Sequence, residues 1–170
     1  MDVTRTAPLL LAAFCGACAS TGAVPRPFPM PGSAPSSSSS PDRPAAPRHI
    51  DGYALVGTAL SFRGVPYRNG GSDPQGFDCS GFTQYVFAQY GVALPREVRE
   101  QFEKGRAVTP DEVAPGDLIF FSTVAPGPTH VGIAIGGDAF VHAPSSAGVV
   151  RVERLGSSYW APRYVGARRP

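Results

Sequence analysis

The chain has 170 residues, 42% of them hydrophobic, and a formal net charge of +2. That length supports one domain with a real core. With no basic run interleaved with aromatics, nucleic acid is excluded as a partner. Lys104 is the only lysine, the other positive residues being arginines, a bias that reflects genome composition rather than ligand chemistry.

Residues 1–19 read as a signal peptide. Arg5 gives a weakly positive start, offset by Asp2, and Ala7 to Cys15 is an apolar run far too short to span a bilayer as a mature helix. Two processing readings compete. Ala17-Cys18-Ala19 is a small-x-small cleavage site leaving Ser20 first. Gly16-Ala17-Cys18 instead resembles a bacterial lipobox in which Cys18 becomes a lipidated N-terminus, although Cys15 stands where such a motif usually has Leu. The lipobox is preferred, and it predicts an exported, periplasmic lipoprotein anchored in the outer membrane. Residues 20–49, crowded with Pro, Ser and Ala and including Ser36 to Ser40, form a linker that cannot bury enough apolar surface to offset its ordering entropy. It reads either as a tether to the anchor or as a tail with no role.

Residues 50–170 carry the folded pattern. Asp51 caps a helix in which Leu55, Val56, Ala59, Leu60 and Phe62 form one stripe, ended by Gly64 and Pro66. A loop from Pro66 through Gly76 leads to a second helix, from about Asp78 to Tyr90, with Gly91 as its stop. Leu94-Pro95 opens a third helix to about Glu103. The pattern then turns to strands: Leu118 to Phe121, Val131 to Ile135, Ala139 to Ala143, Val149 to Val152 and Tyr164 to Arg168. Helices followed by an antiparallel meander predict an α+β fold.

Three cysteines are present, and Cys15 and Cys18 lie in the export signal. Cys79 is therefore without a partner in the folded part, so it is read as a reactive thiol or as a buried structural residue. Its place in the first turn of the second helix favours reactivity. Unsatisfied N–H groups there stabilise a thiolate and a developing oxyanion, and Gly81 permits close approach of another segment. The base should be a histidine, and there are three. His49 belongs to the linker. His130 opens a strand on the face shared with Gly132 and Ala134, leaving room for a second element such as the start of the Cys79 helix.

Loop length decides whether His142 joins that face. A two-residue Gly136-Gly137 turn would pair Val131 with His142 and set the histidines on opposite faces. A three-residue loop, Gly136 to Asp138, pairs Ile135 with Ala139 and Gly132 with His142, placing His142 diagonal to His130 on one face. The three-residue loop is the prediction. A zinc centre from Cys79, His130 and His142 is disfavoured, because no close-spaced ligand pair and no general-base carboxylate accompany them.

In chain order the domain carries Tyr67-Arg68-Asn69-Gly70-Gly71, Asp78-Cys79-Ser80-Gly81-Phe82, Leu94-Pro95-Arg96 with Gln101, Pro115 to Phe121, His130-Val131-Gly132-Ile133 and His142-Ala143. Together these resemble the NlpC-type cysteine peptidases, a papain-like family of bacterial cell-wall endopeptidases. The resemblance implies Cys79 as nucleophile, His130 as base and His142 as the third, orienting residue. It implies Tyr67 as an oxyanion-hole hydroxyl, and Asp78 and Ser80 as contacts to the substrate peptide, beside the local reading of Asp78 as helix cap. Arg96 stands between a structural role and contact with substrate carboxylates. Val98 departs from the Ser or Thr usual there and is expected to pack.

The implied function is hydrolysis of an amide between a D-residue and diaminopimelate in peptidoglycan stem peptides or cross-bridges. No cofactor or metal is implied, and a monomer is expected. Rival readings are a papain-fold acyltransferase or amidase, and a non-catalytic wall-binding lipoprotein.

Overall fold

The computed structural model describes residues 50–170. The signal-peptide reading of 1–19, lipidation at Cys18, the linker 20–49 and His49 lie outside the described residues.

Helix α1 (Gly52–Ser61) begins as its cap predicts: Asp51 Oδ1 accepts from the N–H groups of Tyr53 at 2.9 Å and Ala54 at 3.3 Å. A two-stranded ribbon, β1 (Ser72–Asp73) and β2 (Gly76–Phe77), leads into α2 (Cys79–Ala88). That helix buries Phe82, Val86 and Phe87 along one stripe.

Helix α3 covers only Val98–Phe102, shorter than expected. The backbone at 94–95 is held by side chains instead of a helical ladder. Gln84 Nε2 donates to Leu94 O at 2.8 Å, and Gln101 Nε2 donates to Pro95 O at 2.8 Å. Val98 packs against the core, as expected.

The remaining strands are β3 (Arg106–Val108), β4 (Leu118–Phe121), β5 (His130–Gly136), β6 (Ala139–His142), β7 (Arg151–Arg154) and β8 (Tyr164–Arg169). They form one antiparallel sheet in the order β3-β8-β4-β5-β6-β7. Strands β4 to β7 are the predicted meander. β8 departs from it, returning to pair with β4, and the unforeseen β3 adds an edge. β7 starts two residues later than expected because the segment before it is claimed by the loop after α1. Val150 N–H donates to Val65 O at 2.8 Å, and Tyr67 N–H donates to Gly148 O at 2.7 Å.

Alternation splits the sheet into two packed faces. Leu118, Phe120, Val131, Ile133 and Val141 meet the helices, against Leu55, Phe77, Phe82 and Val86. Ile119, Phe121, Ala134 and Phe140 pack on the other side, under Trp160. Helices on one face of an antiparallel sheet make the fold α+β, as the order of elements predicts.

Candidate active site

Asp78 is the N-cap of α2, and Cys79 is its first residue. Asp78 Oδ1 accepts from Gly81 N–H at 2.8 Å and from Ser80 Oγ at 3.4 Å, and its Oδ2 accepts from Gly70 N–H at 3.0 Å. The same carboxylate therefore caps the helix and ties it to the 66–71 loop. Gly81 makes the tie close: a Cβ there would stand 2.0 Å from the Gly71 carbonyl oxygen. Only glycine leaves that space.

Arg96, which the sequence left between two roles, clamps this turn. Its guanidinium donates to Asp78 Oδ2 and, at 2.7 Å, to Ser80 Oγ. Behind it the fully buried Gln101 accepts from Thr83 Oγ1 at 2.7 Å and donates to Ser80 O at 3.0 Å. The amide thus fixes the first turn of α2 against the 94–95 segment. Sequence reading placed Gln101 in a motif but missed this role.

The half-buried Cys79 packs against the helix-side core, and the backbone N–H of Val131, the residue after His130, lies near enough to favour its thiolate. That group and the N–H groups of Cys79 and Ser80 act in the same direction. They are outweighed by burial and then by the neighbouring Asp78 carboxylate, which together push the thiol up to about 11. The helix N-terminus does not by itself activate this cysteine, contrary to the expectation of a depressed thiol. Tyr67 lies in the same field. Burial, then Cys79 and Asp78, raise its hydroxyl above the ordinary tyrosine range, with Arg96 opposing. Tyr67 thus remains a hydrogen-bond donor at neutral pH.

His130 and His142 share a face of the sheet. The turn is not the predicted loop: Gly136 pairs with Ala139, leaving only Gly137 and Asp138 between the strands. A register shift between Ala134 and Gly136 then restores the expected body of the ladder, with Ile133 opposite Val141 and Ala134 opposite Phe140. The bulge does what the third loop residue was expected to do. His130 Nε2 and His142 Nδ1 are 2.7 Å apart.

The small residues beside His130 do not receive the Cys79 helix, which packs on the opposite face of the sheet. A Cβ on Gly132 would stand 2.7 Å from Phe140 and 3.1 Å from the His142 Cβ, so that space is filled within the hairpin. Trp160 covers the rings, stacked on His130 with centroids 5.4 Å apart and edge-on to His142 at 5.0 Å. Burial alone holds His130 down to about 4. Burial, then His130 and Arg151, depress His142 as well. Both rings are neutral at rest.

Among the described residues no three His, Cys, Asp or Glu side chains are grouped to hold a metal ion. A concavity of about 750 Å³ lies elsewhere, lined by Ile50, Tyr53, Phe87, Pro115 and Arg169 among others, and none of the site residues borders it.

Trp160 and Glu153 were missed by sequence reading. Trp160 is the only tryptophan, which gave a signal without a location. Glu153 could be placed only once the register of β7 was known.

The chain is 44% identical over 123 residues to the murein DD-endopeptidase MepS/murein LD-carboxypeptidase of Escherichia coli (strain K12), covering 72% of this chain and 61% of that protein. It is 41% identical over 119 residues to the gamma-DL-glutamyl hydrolase of Bacillus subtilis (strain 168), covering 68% of this chain and 29% of that protein. The chain therefore spans less than two thirds of the length of either relative. A solved NlpC/P60 family protein from Bacillus cereus superposes with a TM-score of 0.67 at 34% identity, over 71% of this chain and 40% of that one, in keeping with an α+β, papain-like fold. The family model described as NlpC/P60 matches residues 64–169, which include every candidate residue of the site. With more than half of the chain matched, this protein belongs to the NlpC/P60 family.

Proposed function

We propose that the chain is an exported cysteine endopeptidase that hydrolyses amide bonds in peptidoglycan stem peptides or their cross-bridges. The observation that carries the reading is the arrangement of Cys79, in the first turn of α2, against the amide that follows His130, itself hydrogen-bonded to His142.

His130 Nε2 is engaged by His142, so Nδ1 is the nitrogen that takes the thiol proton as Sγ attacks the scissile carbonyl. The oxyanion then meets the N–H of Cys79, with the Tyr67 hydroxyl as second donor. The protonated His130 gives its proton to the leaving amine, and a thioester remains on Cys79. His130 then activates water, which releases the acid and restores the thiol. His142 holds the His130 ring and stabilises its protonated form. No cofactor enters any step.

Asp78 and Ser80, held rigid by Arg96, present the polar wall to the substrate peptide. The bond cut joins a D-residue to diaminopimelate, within the stem after D-glutamate or in the cross-bridge. The two relatives' names, one a DD-endopeptidase and one a gamma-DL-glutamyl hydrolase, support both placements. Cys18 lipidation and the Pro/Ser-rich 20–49 segment would tether the domain to the outer membrane within reach of the wall.

Digestion of defined muropeptides by the purified protein, read by mass spectrometry, tests this. Fragments should form with wild type and not with Cys79→Ala, and their masses identify the bond. Acyl transfer to an added amine without hydrolysis would favour the acyltransferase reading, and no turnover by either protein the wall-binding one.

A further inference from the structure

The far side of His142 carries groups that the three-residue mechanism does not use. In the β6–β7 ladder His142 pairs with Arg151 and Phe140 pairs with Glu153. Glu153 therefore lies diagonal to His142 on the same face. Its Oε1 is 4.0 Å from His142 Nε2. The carboxylate is held from two sides: Arg151 Nε approaches Oε1 at 3.1 Å, and the Trp160 indole N–H donates to Oε2. His142 is fully buried, and its Nε2 has no hydrogen-bond partner among the described residues. A tethered carboxylate thus faces the one uncommitted nitrogen of a buried ring.

We infer that Glu153 is a positioning residue that acts through His142, holding it as the Nε2–H tautomer so that its Nδ1 accepts from His130 Nε2–H and leaves His130 Nδ1 free as the base. This rests on the reading of Cys79, His130 and His142 as the catalytic set. At 4.0 Å the contact is electrostatic rather than a hydrogen bond. It still discriminates between tautomers, because an N–H dipole aimed at a carboxylate is attracted and a lone pair aimed at it is repelled.

The proton inventory is closed. One proton sits on His142 Nε2, one on His130 Nε2 and one on the Cys79 sulfur. Attack moves only the third, to His130 Nδ1, and none passes to Glu153. The imidazolium so formed is then stabilised through His142 by the carboxylate beyond it. The groups facing His142 are His130 from β5, Arg151 and Glu153 from β7, and the indole of Trp160. Arg151 opposes a positive ring, but its charge is paired with Glu153. Trp160 joins the ends of the array, stacking on His130 while it holds Glu153.

The test has a readout that needs no turnover. Nitrogen-15 spectra of the histidine-labelled wild-type protein should show His142 protonated at Nε2 and bare at Nδ1. In muropeptide hydrolysis Glu153→Gln should lower kcat about tenfold or more, by analogy with the loss of a hydrogen-bonding partner behind a metal-bound histidine. KM should hold, and the acid limb of kcat/KM should move to lower pH, since a negative charge that favoured the imidazolium is gone. Glu153→Asp should recover part of kcat. Wild-type His142 protonated at Nδ1 overturns the inference, as does a Glu153→Gln enzyme with unchanged kcat and acid limb, or one altered in KM alone. Undiminished turnover by Cys79→Ala would overturn the peptidase reading and this inference with it, whereas a wrong tautomer overturns the inference alone.

Discussion

His130 Nε2 and His142 Nδ1 meet at 2.7 Å with their ring planes 86° apart, and both residues are buried. Two buried neutral imidazoles and a thiol pushed up to about 11 make a resting state without an ion pair. In the proposed mechanism the thiolate forms as the proton moves to His130 during attack.

The pH profile of activity follows from this. In the proposed mechanism the reactive form needs an unprotonated His130 and a thiol that still holds its proton. The acid limb of kcat/KM should have its midpoint near the value of about 4 to which burial holds His130, well below the 6.5 of an ordinary histidine. The alkaline limb should approach the thiol value of about 11. An acid limb at or above 6.5 would show that His130 is not held neutral by burial.

Stability should carry the same signature. Both histidines are depressed in the folded state, so between their unfolded and folded values the unfolded chain binds more protons. Stability is then complete above pH 6.5 and falls as pH drops through that value toward 4. Each histidine contributes a slope of up to about 1.4 kcal/mol per pH unit. Urea midpoints at a series of pH values across this window measure it. A flat profile would contradict the assignment of both rings as buried and neutral.

Gly81→Ala should destabilise the protein by about 1–3 kcal/mol, the usual cost of forcing a methyl into filled space. The new Cβ meets the Gly71 carbonyl at 2.0 Å, and backbone must move to admit it. Because that loop also carries Tyr67, kcat should fall as well. An unchanged urea midpoint would show that the α2 turn and the 66–71 loop are not as tightly apposed as described.

Gln101→Leu puts an apolar side chain of similar size in place of the amide, removing its bonds to Thr83 Oγ1 and Ser80 O and leaving Pro95 O without its side-chain donor. A buried polar group left without a partner costs about 1–3 kcal/mol, so denaturation should show a loss of at least that order. Gln101→Glu should also destabilise, since one carboxylate oxygen would face two carbonyls. Wild-type stability in Gln101→Leu would mean the amide is incidental to the turn.

The parts of the fold that were legible in the sequence are those set by local patterns. Asp51 and Asp78 announce their helices because a cap is a short-range hydrogen-bond problem, and Phe82 with Val86 shows which way α2 faces. The shared face of His130 and His142 was also legible, because a period of two leaves only two answers. The turn reached the right parity by another route, through a bulge before Gly136.

Long-range competition was not legible. The start of β7 depends on Val149 and Val150 bonding to the segment at 64–67, and the start of α3 depends on two glutamine amides. The thiol's elevation depends on burial, which no spacing reveals. Trp160 lies 30 residues beyond His130, in a short irregular stretch that only the finished sheet brings over the rings.

The central claim is that Cys79 becomes acylated. Acid quenching of a wild-type muropeptide digest within the first turnovers, followed by peptide mapping, tests it most directly. The peptide containing Cys79 should carry an added mass equal to the acyl fragment of the stem, released by hydroxylamine and absent when His130 is replaced by Ala. Products that accumulate while Cys79 stays unmodified, with Cys79→Ala turning over at the wild-type rate, would contradict it.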